Sequence, residues 1–276
     1  LLYTVCRREG AGPRVATLAT LCGALIAMGN WQIRPQTYAI PLCIATIATL
    51  GAWRRTGRGP LWLLPLLMLL WVNLHGTFTL LLVLCGGVWL GAVGERWWFG
   101  GRRTWRECSA LALWSGTALL ATLVNPRGIG IWAYVPGLLT NQSVSRLVTE
   151  WASPLSAITD PLNLIFFGLL ALLAVIIVRR WRRLTLTDAL LLLPFLALAL
   201  QSGRNILWFG IIATPIAARL LMTTAPIQRR RVEVVLLNRL IAGGLALLLI
   251  ATLPWWKEGL GLPPALSNVL SAETPV

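Results

Sequence analysis

Four polar residues stand alone in short segments between long apolar runs of the chain. They are Arg34, His75, Glu150 and Arg204, and His75 is the only histidine in the sequence. If the apolar runs cross a membrane, a charge beside them is costly unless it is paired or hydrated. Such side chains tend to face a cavity, a ligand or one another, so they are the first candidates for a functional site.

The residue types in these segments are suited to binding phosphate. The rigid fork of donors on an arginine matches the geometry of a phosphate, and a histidine adds a further donor. At the edge of a membrane the matching ligand is an anionic lipid headgroup, such as a lipid-linked sugar phosphate. The predicted ligands of this substrate or lipid phosphate are Arg34, His75, Arg204, Gln36, Asn73 and Asn125.

Each of these residues also has a structural interpretation. A lone arginine at a helix end can anchor the helix by reaching the headgroups, and a lone histidine at the interface can be structural. Asn125-Pro126-Arg127-Gly128 forms a turn by its own chemistry, because Pro fixes one dihedral angle and Gly permits a positive one. Glu150 follows Arg146 by four residues, so the two can pair on a helix. A shared site is favoured because all the candidates fall on one predicted face of the membrane.

Several other chemistries are disfavoured by the sequence. It contains no Walker-type P-loop, no HExxH and no GxSxG, which argues against an ATPase, a zinc protease or an ordinary serine hydrolase. None of its five cysteines forms a CxxC pair, so no metal site is predicted. The net charge of +15 would indicate nucleic acid binding in a soluble protein. Here the arginines cluster between apolar runs, so we predict a lipid bilayer and no nucleic acid as partner.

The elements that must position these residues are membrane helices. The chain has 276 residues, of which 57% are hydrophobic and 12% charged, about half the charge of a typical soluble domain. We predict an all-α fold, a polytopic transmembrane bundle of about nine spans, in a single membrane module covering 1–276. The predicted apolar runs cover 15–29, 37–53, 60–72, 77–94, 108–124, 162–178, 186–201, 205–222 and 236–253.

Orientation follows from the arginines. Alternating loops place 19 arginines on one side of the membrane and leave five basic residues on the other. Because cytoplasmic loops are rich in Arg and Lys, we predict that 54–59, 95–106, 179–183 and 225–235 face the cytoplasm. The chain would then be a multi-pass protein of an inner or plasma membrane. The long outer loop, 125–161, is predicted to carry a short interfacial helix.

The first residues resemble the end of a transmembrane helix. The chain begins with Leu1 instead of an initiator Met and reaches Arg7-Arg8 at once. We therefore expect a fragment that lacks N-terminal helices and a first outer loop.

Four short motifs carry a resemblance to a known group of proteins. They are Arg34-Pro35-Gln36, Asn73-Leu74-His75-Gly76, Asn125-Pro126-x-Gly128 and Glu150-Trp151. Together they resemble a group of bacterial polytopic membrane proteins related to the GT-C superfamily of glycosyltransferases. The resemblance covers most of 30–222.

The resemblance implies an all-helical fold with its active site at the non-cytoplasmic face of the membrane. It implies an inverting transfer of a sugar from a polyprenyl-phosphate donor, with a divalent cation left open as cofactor. The catalytic base of such enzymes is usually an acid in the first outer loop, which is expected to lie before Leu1. Glu150 is therefore only a stand-in candidate for the base, and the fragment alone is expected to be inactive.

Two other functions stay open at this point. One is a non-enzymatic transporter or flippase of lipid-linked glycans, and the other is a structural protein of the cell envelope. A transporter would be expected to show repeated halves with broken helices, or polar groups at mid-membrane. Neither is obvious in the sequence.

Overall fold

The computed structural model describes residues 1–30, 35–101, 103–139 and 151–222, and a few residues between 239 and 250. Throughout this described part the chain is all-α, as predicted, with α-helices joined by 3-10 turns and loops.

Two compact units are present, Leu1–Thr223 and Thr224–Val276. Ten α-helices are described in the first unit. In order they are α1 Leu2–Arg8, α2 Pro13–Ile26, α3 Pro35–Thr56, α4 Leu63–Leu74, α5 Thr79–Phe99, α6 Trp105–Ala121, α7 Ile131–Leu139, α8 Pro161–Arg180, α9 Leu186–Gln201 and α10 Ile206–Leu220.

The helices follow the predicted apolar runs to within a few residues. The run at 186–201 coincides with α9, and the short run at 60–72 becomes the twelve-residue α4. The predicted loop helix corresponds to α7, although 140–150 of that loop lie outside the described residues. Most of the run at 236–253 also lies outside them, and its described residues are helical.

Among the helices that the structure describes, two are long and apolar enough to cross a membrane. They are Gly76–Phe99, 24 residues including a 3-10 turn, and Pro161–Arg183, 23 residues. Shorter apolar helices are Pro13–Ile26, Leu63–Leu74 and Leu186–Gln201. The 16 residues of α9 rise about 24 Å, less than the roughly 30 Å of a typical hydrocarbon core.

The core of the first unit lies around α5, α9 and α10. Nearly every residue of α10 is buried, and this helix packs against α2, α9 and α1. On its other side α9 packs closely on α5, where a Cβ at Gly91 would clash with Thr187. Small residues allow such close helix contacts in membrane bundles.

One end of the bundle is held by charged pairs. We call it the arginine-rich end, made of 7–12, 54–62, 95–101, 181–185 and 219–222. Asp188, at the start of α9, is fully buried and accepts hydrogen bonds from Arg54, at 3.1 Å, and from Arg219. It also forms a capping box with Thr185. One carboxylate therefore joins α3, α9 and α10.

Further bonds connect the remaining segments of this end. Arg55 pairs with Glu9, and Glu95 accepts hydrogen bonds from the backbone and hydroxyl of Thr187, at 3.0 and 2.8 Å. Arg183 donates to the backbone oxygen of Met222. The arginine-rich segments, which are far apart in the sequence, thus form one connected network.

Candidate functional site

The opposite end of the bundle brings together most of the predicted site. We call it the arginine-poor end, made of 27–30, 35–36, 73–78, 122–130, 151–160 and 201–205. Its segments are tied by the backbone N–H of Gly203, which donates to the oxygen of Ala152 at 3.0 Å, and by the hydroxyl of Ser153, which donates to Leu200 at 2.6 Å. These bonds fix the loop after α9 against the loop before α8.

Arg204 and Gln36 meet at this end although 168 positions separate them. Arg204 Nη2 donates to Gln36 Oε1 at 3.1 Å. The guanidinium carbon also lies 4.8 Å from the ring centre of Trp151, close enough for a cation–π contact. Gln36 is the second residue of α3, which begins with a proline, the residue preferred at a first helical position. The amide and the indole orient the guanidinium.

Gln36 has an unused donor. Because its oxygen accepts from Arg204, the orientation of its amide is fixed and Nε2 points elsewhere. Gln36 is only 6% exposed, and Nε2 has no hydrogen-bond partner among the residues described by the structure. The same holds for the indole nitrogen of the buried Trp208. An unpaired buried donor costs about 1–3 kcal/mol, so a ligand with acceptor oxygens would be stabilised here.

His75 presents a neutral donor to the same end. It lies between α4 and the following 3-10 turn, and its Nδ1 accepts from the backbone N–H of Thr77 at 3.2 Å. The Thr77 hydroxyl lies 2.9 Å from Nδ1 and accepts from the indole of Trp71 at 3.2 Å. Because Nδ1 accepts from a backbone N–H, the neutral ring carries its proton on Nε2.

The protonation of His75 depends on its surroundings. Burial, and then the charge of Arg204, lower the pKa of His75 below its ordinary value of 6.5. The ring is consequently neutral at pH 7. Arg204 therefore contributes to the electrostatic environment of His75.

Asn73 and Asn125, two further predicted ligands, tie loops together. Asn73 Nδ2 donates to the backbone oxygens of Leu69 and Val124, at 2.8 and 2.9 Å. Asn125 closes the predicted turn, since its Oδ1 accepts from the backbone N–H of Arg127 at 2.7 Å and Gly128 has a positive φ of 51°. The structural interpretation therefore accounts for the side-chain amide nitrogens of both Asn73 and Asn125. Ligand binding by these two residues stays a prediction.

Two predicted residues cannot be placed. Arg34 and Glu150 both lie outside the described residues. Gln36, two residues after Arg34, and Trp151, which follows Glu150 directly, both contact Arg204.

Sequence reasoning did not assign a role to Trp208 or Trp151 in the site. Tryptophans are common at membrane interfaces, so neither stood out among the 15 in the chain. The available signal was position: Trp208 lies one helical turn after Arg204, and Trp151 follows Glu150 directly. Trp208 also packs on Trp71, with ring centres 6.0 Å apart.

The described residues of the two ends form no metal centre. Within the described part of the chain no group of three or more His, Cys, Asp or Glu side chains lies close enough together to hold an ion. The donor-rich chemistry of the site favours an anionic ligand.

Comparison with protein-family models, with curated proteins and with solved structures found no match to the chain.

Proposed function

We propose that the chain is a polytopic membrane protein of about nine spans, with its arginine-rich end at the cytoplasmic face of an inner or plasma membrane. Three observations support this placement. The helices follow the apolar runs, two of them are long enough to span a bilayer, and 19 of the 24 basic residues belong to alternate loops. Arginine-rich loops stay in the cytoplasm, which leaves the candidate site at the outer face.

The site at the arginine-poor end binds the phosphate of a lipid-linked sugar. The observation that carries this proposal is the bond between Arg204 and Gln36, which leaves the buried Nε2 of Gln36 unpaired. A phosphate offers only acceptors at neutral pH, and it would receive bonds from Arg204, Gln36 and the neutral His75. Its position at the edge of the bilayer lets the lipid tail remain among the acyl chains.

The reaction that fits this site is sugar transfer of the GT-C type. An acceptor hydroxyl would give its proton to a base and attack the anomeric carbon, while the polyprenyl phosphate leaves with the bonding electrons. Arg204 would stabilise the charge on the leaving phosphate, as oriented donors do in transferases. Glu150 is proposed only as a stand-in for the base, because it precedes Trp151, which contacts Arg204.

Donor binding tests the site. We expect Arg204→Ala to weaken binding of a polyprenyl-phosphate sugar to the protein in phosphatidylcholine nanodiscs by about tenfold, the effect of one charge-assisted bond. Arg127→Ala is the matched control, since Arg127 lies at the same end but stacks on Tyr134, at 4.4 Å. Equal losses in the two variants would contradict the site. A polyprenol without phosphate should not compete.

Turnover tests the reaction. Release of polyprenyl phosphate from a radiolabelled donor by membranes containing residues 1–276 would show that the base lies within this chain. Glu150→Gln should then slow the release while leaving donor binding intact. A donor that crosses the bilayer of proteoliposomes unchanged would identify a transporter instead.

A further inference from the structure

A second candidate site lies on the surface formed by α2, α8 and α10. These helices enclose an apolar groove of about 560 Å³. Small residues line the sides that α2 and α10 contribute: Ala19, Cys22, Gly23, Gly210 and Ala213. Larger residues of α8 form the facing wall: Leu169, Leu172, Leu173, Val175 and Ile176.

The groove follows from unequal packing of the three helices. α2 and α10 are in close contact, because a Cβ at Gly23 would clash with Thr214 and a Cβ at Gly210 would lie 2.9 Å from Ile26. Of the two described helices long enough to cross a membrane, α8 belongs to the more apolar one, yet only 11% of its apolar stretch is buried. A helix with this much apolar surface needs a cover, and in a membrane lipid supplies it.

The groove has a charged end. Its lining includes Arg179 and Arg180, both exposed at the last turn of α8, and no lining residue is acidic. Neither arginine forms an ion pair within the part of the chain that the structure describes. Two unpaired guanidinium groups at the end of an apolar groove match an anionic headgroup on an acyl chain.

The length of the groove fits one leaflet. Along α2 its lining extends from Val15 to Ile26, a rise of about 16 Å. Half of a typical hydrocarbon core is about 15 Å. An acyl chain of a lipid whose headgroup lies at Arg179 and Arg180 would therefore fill the groove and stop near its far end.

We infer that this groove binds one anionic phospholipid of the leaflet at the arginine-rich end. Its phosphate contacts Arg179 and Arg180, and one acyl chain lies between α2 and α8. The inference goes beyond the lipid-linked sugar site, which is at the opposite end. It shares only the membrane placement with the proposed function.

Cys22 offers a native reporter of occupancy. It lines the groove and is partly exposed, whereas the other four cysteines are buried. We would measure its alkylation by N-ethylmaleimide in detergent, with added phosphatidylglycerol or phosphatidylcholine. Phosphatidylglycerol should slow the alkylation at concentrations where phosphatidylcholine does not.

Variants identify the headgroup contact. Arg179→Ala combined with Arg180→Ala should raise the phosphatidylglycerol concentration needed for protection by roughly tenfold or more. Arg58→Ala combined with Arg106→Ala removes the same charge from exposed positions outside the groove and should leave protection unchanged. Arg204→Ala should also leave it unchanged, so failure of this site and of the sugar site can be told apart.

Other occupants would give other results, each of which overturns the inference. Equal protection by both lipids would show an apolar contact without headgroup recognition. Protection that grows with protein concentration, in the absence of lipid, would identify a second copy of the chain. Cys22 that resists alkylation under all conditions would show that the protein itself covers the groove.

Discussion

Arg54 and Arg219 at the arginine-rich end share one carboxylate, that of Asp188, whereas the described contacts of Arg204 at the arginine-poor end are an amide and an indole. A carboxylate that joins three helices neutralises charge and fixes the bundle. At the arginine-poor end an amide and an aromatic ring orient a guanidinium. One end thus ties three helices together through a buried carboxylate, and the other positions an arginine with an amide and an indole.

The largest expected difference between the ends is their accessibility across the membrane. In a variant without native cysteines, Ser156→Cys should react with a membrane-impermeant maleimide on intact cells. Arg182→Cys should react only after the membrane is permeabilised, because arginine-rich loops stay in the cytoplasm. Labelling of the second variant from outside intact cells would reverse the assignment of the two ends.

The next difference concerns stability, and two aspartates at helix starts allow a matched test. Asp188→Ala leaves Arg54 and Arg219 without their buried partner, and we expect a loss of about 2–4 kcal/mol, somewhat below the range for fully buried pairs. Asp160 caps α8 at the arginine-poor end, accepting from Leu162 at 2.9 Å, and its replacement by Ala should cost about 1 kcal/mol. Thermal unfolding in detergent, followed by circular dichroism, measures both. Equal losses would mean that the ion pairs of Asp188 contribute no more stability than a helix cap does.

Gln36 separates recognition from stability at the arginine-poor end. Gln36→Leu removes a buried unpaired N–H together with one bond to Arg204, so the unfolding free energy should change by less than about 1 kcal/mol. Affinity for the polyprenyl-phosphate sugar should fall by about fivefold to tenfold. A large loss of stability with unchanged affinity would show that Gln36 serves the fold and not the ligand.

The smallest effect is expected from the titration of His75. Because burial and Arg204 lower its pKa in the folded protein, the folded state binds fewer protons than the unfolded state. Stability should therefore decrease as the pH falls from about 6.5 toward the lowered pKa. His75 is the only histidine, so His75→Gln should remove this dependence, and a slope that persists in the variant would refute the assignment.

The helices could be predicted well from the sequence because the hydropathy of a segment depends only on the residues within it. The runs from 15 to 222 required only the composition of each stretch. The pairing of Asp188 with Arg54 and Arg219 was not predicted, since it depends on how distant helices pack. For the same reason the bond from Asn73 to Val124, 51 residues away, was not predicted.

The candidate site was predictable only in outline. The alternation of loops indicates that His75, Arg204 and Gln36 share an end of the bundle, and the structure brings Arg204 and Gln36 into contact there. The contribution of Trp208 requires knowledge of which face of α10 is buried, and on this helix almost every face is. No periodic pattern in the sequence distinguishes Trp208, whose indole N–H has no partner among the described residues, from a tryptophan that only packs in the core.

The ion pairs of Asp188 with Arg54 and Arg219 also have a consequence for biosynthesis. Arg54 emerges from the ribosome 134 residues before its partner, and at about 5–20 residues per second this interval is on the order of ten seconds. In the proposed membrane placement, α3 would wait in the bilayer during that time with its guanidinium in the headgroup region. The bundle can therefore close only when α9 and α10 arrive, so the last helices of the first unit determine when the early ones become native.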